Sequence, residues 1–196
     1  MALGTGRTED GDPVGPRPWP VAAPEAEGRA VDARVSGFEA FFREEYPRLV
    51  ALLVAVTGSR SIAEELAQEA LLRAHVRWSR IVRYERPGAW VRRVALNLAS
   101  HHRNRRRSEQ RAVDRLGRQP SEPYAYTDAA ARGDDFWALV RRLPPRQAAA
   151  VALHHLEDRP VAEVAVILGC AEGTAKAHLH KGRAALARML DIPEET

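Results

Sequence analysis

From Ser36 onward the apolar residues of this chain recur at steps of three and four and never settle into the alternation of a strand. That spacing places them on one face of a helix, and it constrains the fold more than any other feature. Phe38, Phe41, Phe42, Leu49, Leu52, Leu53 and Val56 form the first such stripe, with Gly58 where a C-terminal cap belongs. In "SIAEELAQEALLRA", Ser61 and Glu64 have the spacing of a capping box, and Ile62, Leu66, Ala70 and Ala74 form one buried stripe. "RPGAW" restarts the chain with Pro87 in a first helical turn, and Trp90, Val91, Val94, Ala95 and Leu98 form the inner face of a third helix. These helices predict one small α-domain over residues 36–108.

The same period returns after a break. Phe136, Leu139, Val140 and Leu143 lead to Pro144-Pro145, and Ala148, Val151, Ala152 and Leu156 follow. "VAEVAVIL" and "GTAKAHLHKGRAALARML" then read as two helices around "GCAE", burying Val161, Val164, Ala165 and Leu168, then Ala175, Leu179, Leu186 and Leu190. A second helical domain is expected over residues 134–191, so the chain is all-α in two small domains. Between them, residues 109–133 are rich in turn formers and their charges cancel, which predicts a flexible linker. Residues 1–35 are rich in Pro and Gly without apolar period, which predicts a disordered tail. A hydrophobic fraction of 45% supplies material for two cores. Cys170 is alone, excluding an internal disulfide framework and fitting a reducing cytoplasm. No apolar run approaches a membrane span or a signal-peptide core, so no membrane insertion is expected.

Two helices joined by a tight glycine-containing turn form the helix-turn-helix pattern, in which the first helix braces the second against the major groove. The exposed face of the second would offer Thr174, Lys176, Ala177, His178 and Lys181, with His180 and Arg183 nearby. Its N-terminus adds favourable partial charge for a phosphate. An ordinary helical hairpin with a solvated basic face is the alternative. Base is also concentrated in "WVRRVALNLASHHRNRRRS". From Arg92 to Arg118 there are nine arginines against Glu109 and Asp114, in a protein whose net charge is +4. Cations compensating a helix C-terminus would explain two or three of these, and a polyanionic partner explains the whole run. A helix through this stretch would carry Arg93, Asn97, Ser100, His101 and Asn104 along its outward face, with Arg103, Arg105, Arg106 and Arg107 as a basic end.

Together these segments resemble bacterial RNA polymerase sigma factors of the extracytoplasmic-function type, over residues 38–108 and 134–190. "SRSIAEELAQEALLRAHVRW" is similar to regions 2.1–2.2, "ERPGAWVRRVALNLASHHRNRRRS" to regions 2.3–2.4, and "LPPRQAAAVALHHLEDRPVAEVAVILGCAEGTAKAHLHKGRAALARML" to region 4. The resemblance implies binding to core RNA polymerase and promoter-specific initiation, with residues 36–108 melting and reading the −10 element and residues 134–191 reading the −35 element and contacting the polymerase flap. Glu64, Glu65, Gln68 and Glu69 would take the stripe facing the clamp helices; by themselves they read as a solvated acidic face. Asn97 falls where the family places a polar residue beside a flipped base, and an amide offers both donor and acceptor to a base edge. Arg93, His101, Arg103, Arg105, Arg106 and Arg107 would accompany it at the −10 strand. Trp90 lies in phase with Val94 and Leu98 and reads as core. Thr174, Lys176, Ala177, His178, Lys181 and Arg183 would face the −35 duplex. This chain has "GTAKAH" where the family often has "GTVKSR", and Ala171 stands where a serine cap is frequent. An anti-sigma factor is the regulator that the resemblance implies.

Other classes find less support. The chain carries no P-loop, no Gly-rich dinucleotide turn and no Ser/His/Asp arrangement, so neither an enzyme nor a small-molecule substrate or cofactor is expected. Cys170, His154, His155, His178 and His180 are the nearest approach to a zinc set, but His178 and His180, two apart on a helix, diverge. A stand-alone helix-turn-helix regulator would bind duplex DNA without polymerase, whereas a sigma factor should bind strongly only with it.

Overall fold

The computed structural model describes residues 32–115 and 134–190. Most of the expected tail and the linker residues 116–133 lie outside this range. Eight helices follow in order: α1 (Asp32–Thr57), α2 (Arg60–Val76), α3 (Trp78–Ile81), α4 (Pro87–Arg115), α5 (Asp134–Arg142), α6 (Pro145–His155), α7 (Val161–Leu168) and α8 (Glu172–Met189). Among the described residues there is no strand, and the fold is all-α as the periodicity predicts.

Three boundaries differ from the sequence reading, each for a local reason. Gly58, at φ 76°, ends α1 in the left-handed conformation that a glycine adopts without strain, and its N–H reaches the Val54 carbonyl at 2.8 Å. Ser59 then caps α2 by accepting from the Ile62 N–H, so the cap lies two residues before the expected Ser61. α4 runs on to Arg115, into the segment read as linker. Nothing from Arg105 to Arg115 breaks a helix, and Arg105 pairs with Glu109 one turn on, at 2.8 Å. α1 likewise begins at Asp32, ahead of Ser36.

In the first domain α1, α2 and α4 bury Leu49, Leu52, Leu53, Ala63, Ala67, Ala70, Leu71, Trp90, Val91 and Val94. Phe38 and Phe41 pack on Trp78 of α3, with ring centroids 5.3 and 4.9 Å apart. In the second domain α6 and α8 meet at Gly182, where an added Cβ would stand 2.9 Å from Val151 Cγ2; only a residue without a side chain lets the helices approach so closely. The domains also touch. The core runs continuously from one to the other through Leu96 and Ala99 of α4 and Ala148 and Ala149 of α6, with a cavity of about 30 Å³ between those helices, room for no more than a water or two.

Candidate nucleic-acid interface

Over 29 residues α4 would span about 43 Å, and it changes character midway. It begins at Pro87, whose missing N–H costs nothing in a first turn. From Ala89 to Leu96 every residue is buried, a pattern found where a helix is covered on all sides. α1 and α2 cover one side and α7 covers the other. Trp90, 1% exposed, is core as its phase predicts. Beyond Ser100 the helix emerges: His101, Asn104, Arg105, Arg106 and Arg107 are exposed, whereas Arg103 is half-buried and donates to the Leu143 carbonyl at 3.3 Å. Burial first, then the charge of Arg107, pushes the Arg103 pKa down from its ordinary value.

The face of α4 expected to point outward is exposed only at His101 and Asn104. Arg93 is buried, donating through Nε to the Ile167 carbonyl at 3.0 Å and through Nη2 to the Val166 carbonyl. Asn97 and Ser100 are half-buried. The helical period places these residues opposite the core of their own domain, but it carries no information about a second domain packing there. Of the residues proposed for the −10 strand, His101, Arg105, Arg106 and Arg107 are open to solvent, Arg93 and Arg103 donate to carbonyls of the other domain, and Asn97 is half-buried.

α7 and α8 form the helix-turn-helix. Gly169 at φ 67° closes α7, and the Cys170 N–H reaches the Ala165 carbonyl at 3.1 Å. No side chain caps α8 at Ala171, so its first-turn N–H groups have no side-chain acceptor there. Ala175, Leu179, Gly182 and Leu186 are buried, while Thr174, Lys176, Ala177, His180, Lys181 and Arg183 are exposed. Thr174, Ala177, His178 and Lys181 share one stripe at helical spacing. His178 is only half-exposed; burial, then the charges of Arg146 and Lys181, pushes its pKa below the ordinary imidazole value. Arg183 is tied back, its Nε 3.1 Å from His155 Nε2, and Lys176 pairs with Glu172 at 3.0 Å.

The acidic stripe of α2 is exposed at Glu65 and Gln68 and half-buried at Glu64 and Glu69. Glu64 pairs with Arg60 and Glu69 with Arg73, each at 2.9 Å, while Glu65 and Gln68 point to solvent. Beside them is a groove of about 760 Å³ lined by Phe38, Phe42, Glu65, Gln68, Glu69 and Leu72, among others. Leu72 is 57% exposed, as is Phe42 in part, and Val76 one turn beyond is 74% exposed. Helical periodicity does not reveal this apolar rim: Phe42 falls on the stripe expected to be core in α1, and no stripe contains Leu72 or Val76. The available signal was that both lie off the Leu66–Ala70–Ala74 stripe.

Among the described residues no group of three or more His, Cys, Asp or Glu side chains is placed to hold a metal ion, and no helix is long and apolar enough to cross a membrane.

Comparison with known proteins matches both halves of the chain. The family model for Sigma-70 region 2 matches residues 41–109, and that for Sigma-70, region 4 matches residues 134–186. The ECF RNA polymerase sigma factor SigM of Mycobacterium tuberculosis is 30% identical over 164 residues, covering 78% of this chain and 76% of the relative. The RNA polymerase sigma-E factor of Streptomyces coelicolor is 29% identical over 154 residues, 78% of this chain and 83% of that one. Among solved structures, the sigma factor RpoE of Bartonella quintana, co-crystallised with the anti-sigma factor NepR, shares the fold with a TM-score of 0.61 at 22% identity, over 81% of this chain and 99% of that one. Two matched regions in this order, joined through a basic helix and a helix-turn-helix, place the chain in the extracytoplasmic-function (ECF) family of RNA polymerase sigma factors.

Proposed function

We propose that this protein binds core RNA polymerase and directs promoter-specific initiation, without catalysis of its own, in the cytoplasm. The observation that carries the reading is that one chain presents two separate basic helical surfaces, the C-terminal half of α4 and the exposed face of α8, and a third, acidic and apolar surface on α2. A stand-alone regulator needs only the second of these.

Each surface has a role in this reading. Residues 36–108 serve as region 2 and residues 134–191 as region 4, joined by residues 109–133. Asn97 and Arg93 read and hold a flipped −10 base, with His101, Arg103, Arg105, Arg106 and Arg107 on the adjoining phosphates. Thr174, Lys176, Ala177, His178, Lys181 and Arg183 meet the −35 duplex, where base edges are distinguishable in the major groove. Glu64, Glu65, Gln68 and Glu69, with the Leu72 rim, dock on the clamp helices, and region 4 touches the flap. An anti-sigma factor would find the same exposed surfaces.

The test is run-off transcription with purified core polymerase over a library of genomic fragments. Defined transcripts should appear only when the protein is added. Stable core binding without any transcript would overturn the reading, and strong duplex binding without core would favour the stand-alone regulator.

A further inference from the structure

We infer that the groove beside the α2 stripe is the seat of the chain's own proline-rich segment, residues 13–20, with the Trp19 ring held between α1 and α2. Its competition with core polymerase rests on the α2 role proposed above; the docking itself does not.

The groove is suited to an apolar, ring-bearing occupant. Phe38 and Phe42, one turn apart on α1, have ring centroids 6.2 Å apart. Phe42 stacks on Tyr46 at 5.3 Å with planes 13° apart, and Phe38 meets the His75 ring at 4.6 Å. Leu72 lines the same groove from α2. A volume of about 760 Å³ lies within the range of clefts that take a compact apolar ligand, and is ample for an indole. The rim carries charge of one sign. Arg73 neutralises Glu69 at 2.9 Å, whereas Glu65 has no ion-pair partner among the described residues. The surface therefore offers aromatic and aliphatic contact beside one uncompensated carboxylate.

The segment matches it in composition, charge and reach. Residues 13–24 hold five of the chain's 13 prolines, and Arg17 is their only charged side chain. Proline fixes φ and removes a backbone donor, so "PVGPRPWP" favours polyproline II, with three residues per turn and no internal hydrogen bonds. At that period Pro13, Pro16 and Trp19 share one face, and Arg17 stands on the next. Aromatic-lined grooves are where such segments dock, because a preformed extended helix loses little entropy on binding. Trp19 would bury about 150–250 Å², and Arg17 supplies the cation that Glu65 lacks. Reach is sufficient: Trp19 precedes Asp32, the first residue of α1, by 13 residues, or about 40 Å in polyproline II geometry. Phe38 lies only about 9 Å along α1 from that residue. Such a tether gives an effective concentration on the order of millimolar, so at micromolar protein the chain's own segment outcompetes that of a second copy about a thousandfold.

Glu65, Gln68, Glu69 and Leu72 are also the side chains proposed to meet the clamp helices. A docked Trp19 and a docked clamp cannot share them, so core polymerase must displace the segment.

The test uses the full chain with 5-fluorotryptophan in place of its four tryptophans, read by fluorine NMR. Trp19→Phe identifies the Trp19 signal by its loss. That signal should stand apart from that of free 5-fluorotryptophan and shift little between H2O and D2O, as for a ring shielded from water. Leu72→Glu, at an exposed position where substitution costs little stability, should return it to the water-exposed position, and Arg17→Glu should move it the same way. Arg29→Glu, an equal charge change outside the proline-rich run, should leave it in place. The Trp90 and Trp137 signals, one in each domain, check that the variants are folded; should Leu72→Glu disturb them, Leu72→Ser is judged by the same outcomes. A Trp19 signal at the exposed position in the natural protein, or one unmoved by the Leu72 variant, would overturn the docking. A displacement that fades on dilution would overturn it too, since the segment would then sit on a second copy. In a separate measurement, Trp19→Ala should bind core polymerase roughly tenfold tighter, the factor expected if the groove is free one time in ten. Unchanged core affinity with Trp19 docked would keep the docking and overturn the competition, taking the clamp role from this face, so the two failures remain distinguishable.

Discussion

At the scale of single residues, the chemistry proposed for α4 divides between an amide and a set of guanidiniums, and the two respond differently to salt. Asn97→Ala should weaken open-complex formation by the polymerase at cognate promoters by about 1–3 kcal/mol, the usual loss for one base contact, and leave its salt dependence nearly unchanged. Arg106→Ala should weaken cognate and scrambled −10 sequences alike and flatten the salt slope by about one unit. Equal losses from Asn97→Ala on cognate and scrambled strands would remove its base-reading role. His178 offers a test by pH. Its folded-state pKa is depressed by burial and by Arg146 and Lys181, so the unfolded chain binds the proton first as pH falls below about 6.5, and the stability contributed by the neutral ring is lost in that range. A phosphate beside the ring would favour the proton instead. Lowering the pH from 7.5 to 6 should therefore strengthen binding of the protein–polymerase complex to −35 duplex more for the natural protein than for His178→Gln. Superimposable pH profiles would take His178 out of the interface.

At the scale of elements, the long helices were visible in the sequence where their own packing decided their period, whereas α3, a single turn over Trp78–Ile81, is too short to show one. Leu49, Leu52 and Leu53 on α1, Trp90 and Val94 on α4, and Ala175 and Leu179 on α8 are all buried as their spacing requires. Gly58 and Gly169 end helices where glycine punctuation predicts. What escaped the sequence was what one helix does to a distant one. The period of α4 alone cannot separate a face open to solvent from a face under α7, so Arg93 was read as exposed. The end of α4 escaped for a different reason: residues 109–115 carry charge and no apolar stripe, so the Arg105–Glu109 pair was the only signal that the helix continued. For α2 the open question is docking. Reversing Glu65 and Glu69 to Lys together should weaken core-polymerase binding at least tenfold, with melting nearly unchanged, because both side chains lie off the buried stripe and surface changes of this kind cost little stability. Unchanged affinity for core would return that stripe to plain solvation.

At the scale of the whole molecule, Arg92 of α4, bonded to Glu157 of the second domain, and Arg93, bonded to the carboxyl end of α7, join two domains whose apolar cores are continuous. While the charged contacts hold, thermal unfolding followed by calorimetry should show one transition, since neither domain opens without exposing the groups the other covers. Glu157→Ala should divide it into two, the second domain melting apart from the first; a single transition in the variant, at a lower temperature, would mean that the apolar contacts alone hold the molecule together. The contact of Arg93 with α7 has a wider consequence. The carboxyl end of a helix carries roughly half a negative charge, so on the role proposed for this guanidinium the Val166 and Ile167 carbonyls stand in for the acceptors of a base edge. On that proposed role the protein carries a competitor for nucleic acid on the same chain. Diluting or concentrating the protein does not alter the ratio of competitor to target, as it would for a separate inhibitor. Making more of the protein would therefore raise occupied and free Arg93 in step, and their proportion would change only when something binds one form better than the other.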